Sequence, residues 1–338
     1  MSRIVSVWLK AWPIARLLRA RASAAPAEAS AAEAIDPRRP LVLVAPGVGG
    51  ARIVALNRAA QKSGLAAGEL LSNARSKVLD LQVRDADPAA DAAALRKLAL
   101  WGLRYAPLVA PWAYPGPRAG NEASGADGLF LDIAGCAHLF GGEAELIGDL
   151  ARRLAGFGLA ARVAVADTAG AAWAMARHGR SDDPIVPPGE EAQALRPLPL
   201  AALRLSGEAL SLLRRLGFRC IGELMDGARA PFAARFEREL LLRLDQALGH
   251  APEPLAGIVP PPAYRAAATF LEPILSQEHV LEAAAHLIGK MAEDLARDGA
   301  GARTLRLILF RVDGEARSLD IGLAAPSRDP AHIARLIG

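Results

Sequence analysis

Cysteine is nearly absent from this chain. Its only two, Cys136 and Cys220, lie far apart and form no CxxC or Cys/His cluster, which argues against a zinc centre or a disulfide framework and fits a reducing compartment. The six histidines are scattered without HxxxH or HxE spacing, so no metal site is legible from them. Lysine is scarce as well. Lys10, Lys62, Lys77, Lys97 and Lys290 are the only ones, so arginine carries nearly all the positive charge, and the formal net is +4. A balance that small neither requires nor excludes a nucleic-acid partner. Long apolar runs are missing too: the uncharged stretch Ile4 to Leu9 is cut by Lys10, too short for a signal-peptide core or a membrane span. No acid occurs before Glu28, a composition that also suits an organellar transit peptide. The reading adopted is a cytoplasmic chain with no membrane partner.

What is present is globular sequence, long enough at 338 residues for two to four domains. Residues 4–9 read as a β-branched central strand, followed by a basic amphipathic stretch and the Ala/Pro-rich connector ASAAPAEASAAEAIDPRRP. Residues 41–45 and 52–56 flank PGVGG and predict a hairpin; a phosphate loop would want a helix directly after the glycines, and a strand follows instead. Helical spacing runs over 88–105, with Asp87 as cap and Pro88 at the first position. An extended piece at 107–110 follows, then the strand within DGLFLDIAGCAHLFGGE, a helix over 143–156, a strand over 162–166 and a helix over 168–178. That order describes an α+β layer into which the N-terminal strand pairs.

Beyond RSDDPIVPPGEE the chain reads as all-helical to Gly249, with one helix closing at Gly217 and another opening at Ile221. Prolines 252, 254 and 260–262 make a linker. The remainder predicts a strand at 266–271, a helix over 277–297, strands at 304–312 and 318–323, and a helix start at 330–337. A β-α-β-β-α order normally wants a last strand, so the chain reads as C-terminally truncated or as a half-fold.

Two acids, Asp127 and Asp132, sit at the ends of the apolar run GLFL, an arrangement by which phosphoryl-transfer enzymes hold magnesium. Asp127 marks the strand entrance, and Asp132 is expected to make a local hydrogen bond in the turn before Gly135. A single carboxylate holds magnesium only weakly without substrate phosphates.

The order of parts, together with LFLDIAGCAHLFGGEAELIGDLARRL, VAVADTAGAAWAMARHG and the leading VSVWL, resembles the Y-family (UmuC/DinB-like) translesion DNA polymerases, and within them the ImuB-like branch, over nearly the whole chain. The resemblance implies a palm at 1–12 and 96–180, fingers at 13–95, a helix-hairpin-helix-like thumb at 181–250, a linker at 251–262 and an incomplete little finger at 263–338. Active members of the family hold two metal ions with carboxylates from a D-x-D and a D-E pair, because two cations roughly 4 Å apart need that negative charge. Here the D-x-D positions read Trp8 and Lys10, and the D-E pair reads Asp127 and Gly128. The triphosphate grip falls on Arg58 and Gln61, the palm-helix lysine on Ala169, and the aromatic that excludes ribonucleotides on Pro13. The resemblance therefore implies no catalytic residue, no metal and no cofactor. Lys10 either neutralises Asp127 as a tethered cation or points outward.

The family's thumb-hairpin glycines fall on Arg204, Leu205 and Ser206, so phosphate contact there would pass to a side chain such as Arg204. In the little finger Arg303, Arg306, Arg311 and Arg317 lie on or beside strands that in the family straddle the duplex; the alternative is a solvated sheet face. What the resemblance implies is a non-catalytic scaffold in SOS-induced mutagenic translesion synthesis. Its implied partners are DNA, the sliding clamp through a segment beyond the little finger, a RecA-like accessory subunit and an error-prone C-family polymerase. The stretch QALRPLPL at Gln193 has the wrong apolar spacing for a clamp-binding peptide. Two other readings stay open: an active Y-family polymerase with unorthodox metal ligands, and a plain DNA-binding module.

Overall fold

The computed structural model describes residues 2–23, 35–112, 127–236, 239–260 and 264–337. It divides into two compact units, Met1–Ile258 and Val259–Gly338. No helix among the described residues is long and apolar enough to cross a membrane.

The first unit is built on an antiparallel sheet in which β1 (Ile4–Leu9) lies between β6 (Gly128–Asp132) and β7 (Ala161–Ala166), with β5 (Leu108–Trp112) outside β6. Strand β1 is buried on both faces, which is why it reads as an almost continuous apolar run rather than an alternation. Val5, Val7 and Leu9 join Leu129 and Leu131 beneath α4 (Pro88–Gly102) and α5 (Glu143–Gly156), which supply Leu95, Ala99, Leu146, Leu150 and Leu154. On the opposite face Ile4 and Phe130 pack against α6 (Ala169–His178). The expected caps form: Asp87 accepts from the Ala90 N–H, and Thr168 from that of Ala171.

Helix α6 is buried from Ala169 to Met175 and on to Ala176, because a layer of helices covers its far side. These are α7 (Glu191–Leu195), α8 (Gly207–Arg215), α9 (Ile221–Met225), α10 (Arg229–Arg235) and α11 (Glu239–Leu248), whose Leu213, Ile221, Leu240 and Leu244 share one core with Trp173 and Phe130. The approach is close: Thr168 Oγ1 donates to the Ala247 carbonyl at 2.9 Å, and a Cβ added at Gly170 would lie 2.8 Å from Ala247 Cα.

A smaller sheet carries the expected hairpin, β2 (Leu41–Gly47) with β3 (Gly50–Leu56), turning at Gly49 (φ 83°) and Gly50 (φ 125°). Strand β4 (Gln82–Asp85), parallel to β2, and the short helices α2 (Arg58–Lys62) and α3 (Leu71–Lys77) complete it. The basic stretch after β1 is α1 (Trp12–Ser23). Of the connector expected at 22–40, residues 24–34 fall outside the described residues.

The second unit packs α12 (Gln277–Arg297) and α13 (Pro330–Arg335) on a hairpin of β8 (Ala302–Phe310) and β9 (Ala316–Ser327), around Ile288, Leu305, Ile321 and Ile333. The strand expected at 266–271 does not form. Its three alanines have poor strand propensity, and Pro273 follows closely; Leu271 is fully exposed.

Candidate functional site

The acids that define a two-metal site would lie where β1 meets β6. Here Trp8 pairs with Gly128 across the ladder, and the Leu9 N–H donates to the Asp127 carbonyl at 2.8 Å. Asp127 is thereby held at the strand entrance, and both carboxylate oxygens are occupied. Trp8 Nε1 donates to Oδ2 at 3.2 Å, and the Arg177 guanidinium donates to Oδ1 at 2.5 Å. Arg177 comes from the last turn of α6 with its side chain only 7% exposed. Its guanidinium lies 4.2 Å from the Trp173 ring centroid and 5.5 Å from that of Trp8, so the cation is both ion-paired and faced by aromatic rings.

Lys10 does not fill that role. It is exposed, lies 5.6 Å from the Trp8 ring centroid and makes no ion pair among the described residues. Of the two placements left open for it, the tethered counter-cation is corrected: Arg177 neutralises Asp127. At Gly128 a Cβ would drive into the Val7 carbonyl oxygen, so the neighbouring strand excludes a side chain where the family carries a second acid. Asp132 behaves as expected, accepting from the Ala134 N–H at 3.0 Å. Among the described residues no group of three His, Cys, Asp or Glu side chains is placed to hold a metal ion.

Ala169 is the position at which the resemblance places the family's triphosphate lysine. It opens α6, buried beside the helical layer, and lies about 12 Å along the helix from Arg177 at a rise of 1.5 Å per residue. The cation that reaches this edge comes from the other end of the helix. A sequence signal existed: Arg177 follows Trp173 by four residues in an alanine-rich helix, and an arginine on a buried helix demands a partner. Beside the edge, a cleft of about 320 Å³ is lined by Lys10, Ile14, Leu18, Arg19 and Arg58. Pro13 is half-buried within α1, and Gln61 is exposed on α2.

Arg204 is a second correction. Its side chain is 1% exposed and donates to both oxygens of Glu253 at 2.6 and 2.8 Å, with the guanidinium 5.3 Å from the Trp112 ring centroid. A side chain so enclosed cannot contact phosphate. Its backbone keeps the left-handed conformation, φ 59°, that a glycine would take at a hairpin. The Ser206 N–H, a donor of the kind that binds phosphate at such hairpins, is taken by Glu239 Oε1 at 3.2 Å.

The little-finger arginines do not form one basic face. Arg306 pairs with Asp320 across the strands, Arg311 with Asp313, and Arg317 with Glu315; only Arg303 of the four makes no ion pair among the described residues.

Solved polymerases share this architecture. The insertion ternary complex of Dbh DNA polymerase matches with a TM-score of 0.55 at 14% identity, covering 99% of this chain and 92% of that one. DinB from Sulfolobus solfataricus matches at 0.54, also at 14% identity, with the same coverage. The sequence pattern of the impB/mucB/samB family matches residues 25–177. Protein ImuB of Caulobacter vibrioides, in strains NA1000 / CB15N and ATCC 19089 / CIP 103742 / CB 15, is 43% identical over 274 residues, or 81% of this chain. The chain is an ImuB-like member of the Y-family. It spans 57% of the length of these curated relatives. The β1–β6 edge, β2 to β4, α7 to α11 and most of the second unit fall within the residues for which the resemblance implies palm, fingers, thumb and little finger respectively.

Proposed function

We propose that this chain is a non-catalytic Y-family relative acting as a scaffold in SOS-induced mutagenic translesion DNA synthesis. What carries the reading is the palm edge, where Arg177 and Trp8 occupy the lone carboxylate Asp127 and the packing at Gly128 leaves no room for another acid. Two-metal phosphoryl transfer depends on several carboxylates fixing two cations against the reacting phosphate, and an internal guanidinium supplies none of that geometry. The family relation supports a role in DNA synthesis past damage. The proposed partners are DNA, the sliding clamp, a RecA-like ImuA subunit and an error-prone C-family polymerase that performs nucleotide transfer. A cytoplasmic location belongs to the same proposal.

The test is primer extension by purified protein with magnesium or manganese and each nucleotide. No extension is expected. Template-dependent extension that disappears in Asp127→Ala would overturn the reading, since a contaminating polymerase would not respond to that change. Pull-down with each proposed partner tests that set.

A further inference from the structure

The thumb carries a charge cluster that the palm site does not explain. The turn between α8 and α9 reads RRLGFR over residues 214–219, and Arg214, Arg215 and Arg219 are all exposed within it. None of the three side chains makes an ion pair or hydrogen bond among the described residues. Elsewhere in the thumb Arg196 is matched by Asp226 and Arg229 by Asp245, as are Arg306, Arg311 and Arg317 in the little finger by acids of their own, while Arg235 of α10 is a single exposed arginine with no ion pair among the described residues. The acid nearest the turn, Glu223, accepts from the backbone N–H groups of Arg219 and Cys220 at 2.6 and 3.3 Å. One carboxylate therefore stands against three guanidinium groups. Arg214 and Arg215 lie in the last turn of α8, where the helix end carries about half a negative charge; three full positive charges exceed what that end can absorb.

The hairpin that would otherwise serve as the thumb's phosphate contact is already occupied from within. Glu253 holds the Arg204 guanidinium, and Glu239 accepts from the Ser206 N–H. We propose that the thumb binds the phosphodiester backbone of DNA at the α8–α9 turn, through Arg214, Arg215 and Arg219, instead of at the hairpin. This rests on the DNA-binding part of the function proposed above. A contact made to phosphate oxygens carries no base information, so binding at this turn is independent of sequence. Gly217, at φ 94°, sets the sharp reversal between Arg215 and Arg219, and a substitution there would disturb the spacing of the charges.

The experiment is fluorescence anisotropy of the whole chain on labelled duplex DNA across a salt series. Replacing Arg214, Arg215 and Arg219 together with Ala should lower affinity at least about tenfold at low salt and flatten the log–log salt slope by about 2 to 3, since each phosphate contact contributes roughly 0.9. Arg214→Ala and Arg219→Ala alone should each flatten it by about 1, which keeps the test valid should the triple variant fold poorly. Replacing the three with Lys should retain the slope. Replacing Arg303, Arg306 and Arg311 with Ala should flatten it less than the thumb variant does. A wild-type slope in the Ala variants would overturn the thumb assignment while leaving DNA binding intact. No binding by the unaltered chain at low salt would overturn the DNA-binding reading and this inference together.

Discussion

Arg177 gives Asp127 the neutralisation that a divalent cation gives a catalytic carboxylate, but it does so permanently and without an open coordination position. The loss of the other acids was legible in the sequence because Trp8, Lys10 and Gly128 are plainly not carboxylates. The replacement cation was legible only as an arginine on a buried helix in need of a partner; that its partner is Asp127 was not, since an arginine in a helix's last turn also answers to the helix dipole. The two-fold engagement of Asp127 makes a stability prediction. Arg177→Leu leaves a carboxylate that is 26% exposed without its partner and should cost about 2–4 kcal/mol in urea unfolding, and Asp127→Asn should also destabilise, because its single amide oxygen can accept from only one of the two donors. Gly128→Glu should lower stability by about 2–3 kcal/mol without conferring nucleotide transfer, because the Val7 carbonyl obstructs its Cβ. A buried phenol adds a pH signature. Tyr105 donates to Asp149 Oδ2 at 2.7 Å, and burial, with that bond, pushes its hydroxyl up to about 12 from 10.0. The folded state then holds the proton more tightly, so the contribution is complete below pH 10 and is lost as pH rises toward 12. Unfolding free energy should fall over that window by about 2–3 kcal/mol more in the unaltered chain than in Tyr105→Phe, as urea melts at successive pH values would show.

At the scale of elements, capping chemistry and apolar period located most helices and strands of the first unit. Asp87 and Pro88 open α4, Thr168 opens α6, and PGVGG turns the β2–β3 hairpin. Strand β4 and helices α2 and α3 were not legible. Each spans only four to seven residues and is fixed by its partners, β4 by the parallel ladder to β2 rather than by any strong propensity of its own. The strand expected at 266–271 did not form because its three alanines, with Pro273 close behind, have little strand propensity of their own. Nor did periodicity reveal how closely α6 meets α11. That contact predicts an inverted helix-propensity effect: Gly170→Ala should destabilise by about 1–3 kcal/mol, because its Cβ would sit 2.8 Å from Ala247 Cα. In α5, Gly148 has only the end of the Arg152 side chain near it, at 3.7 Å, and Gly148→Ala should stabilise by up to about 1 kcal/mol. Parallel urea melts would separate the two, and equal gains at both positions would refute the close palm–thumb approach.

For the whole molecule, the boundary between units has consequences that a single cooperative body would not show. Both larger sheets and helices α1 to α11 are gathered into Met1–Ile258, where one apolar core spans the four-stranded sheet and helices α7 to α11. Val259–Gly338 is compact on its own account, with a core of Ile288, Leu305, Ile321 and Ile333. Among the described residues, those between the last Ile258 contact and Ser276 form no helix or strand, and Arg265 is exposed within them. A protease needs several residues of backbone released from regular structure, and cleavage concentrates where that release costs least. The expectation is therefore that brief treatment with dilute trypsin cuts after Arg265 early, yielding a new N-terminus at Ala266 by mass spectrometry while both halves persist. Arg204 and Arg177, equally good trypsin sites by sequence, should stay uncut on that timescale because their side chains are 1% and 7% exposed in the shared core. Cleavage at Arg204 before Arg265 would mean that the thumb opens more readily than the inter-unit segment. The enclosed Glu253 and Trp112 contacts of Arg204 would then not hold in solution, and the argument that moves phosphate binding from the hairpin to the α8–α9 turn would lose its basis.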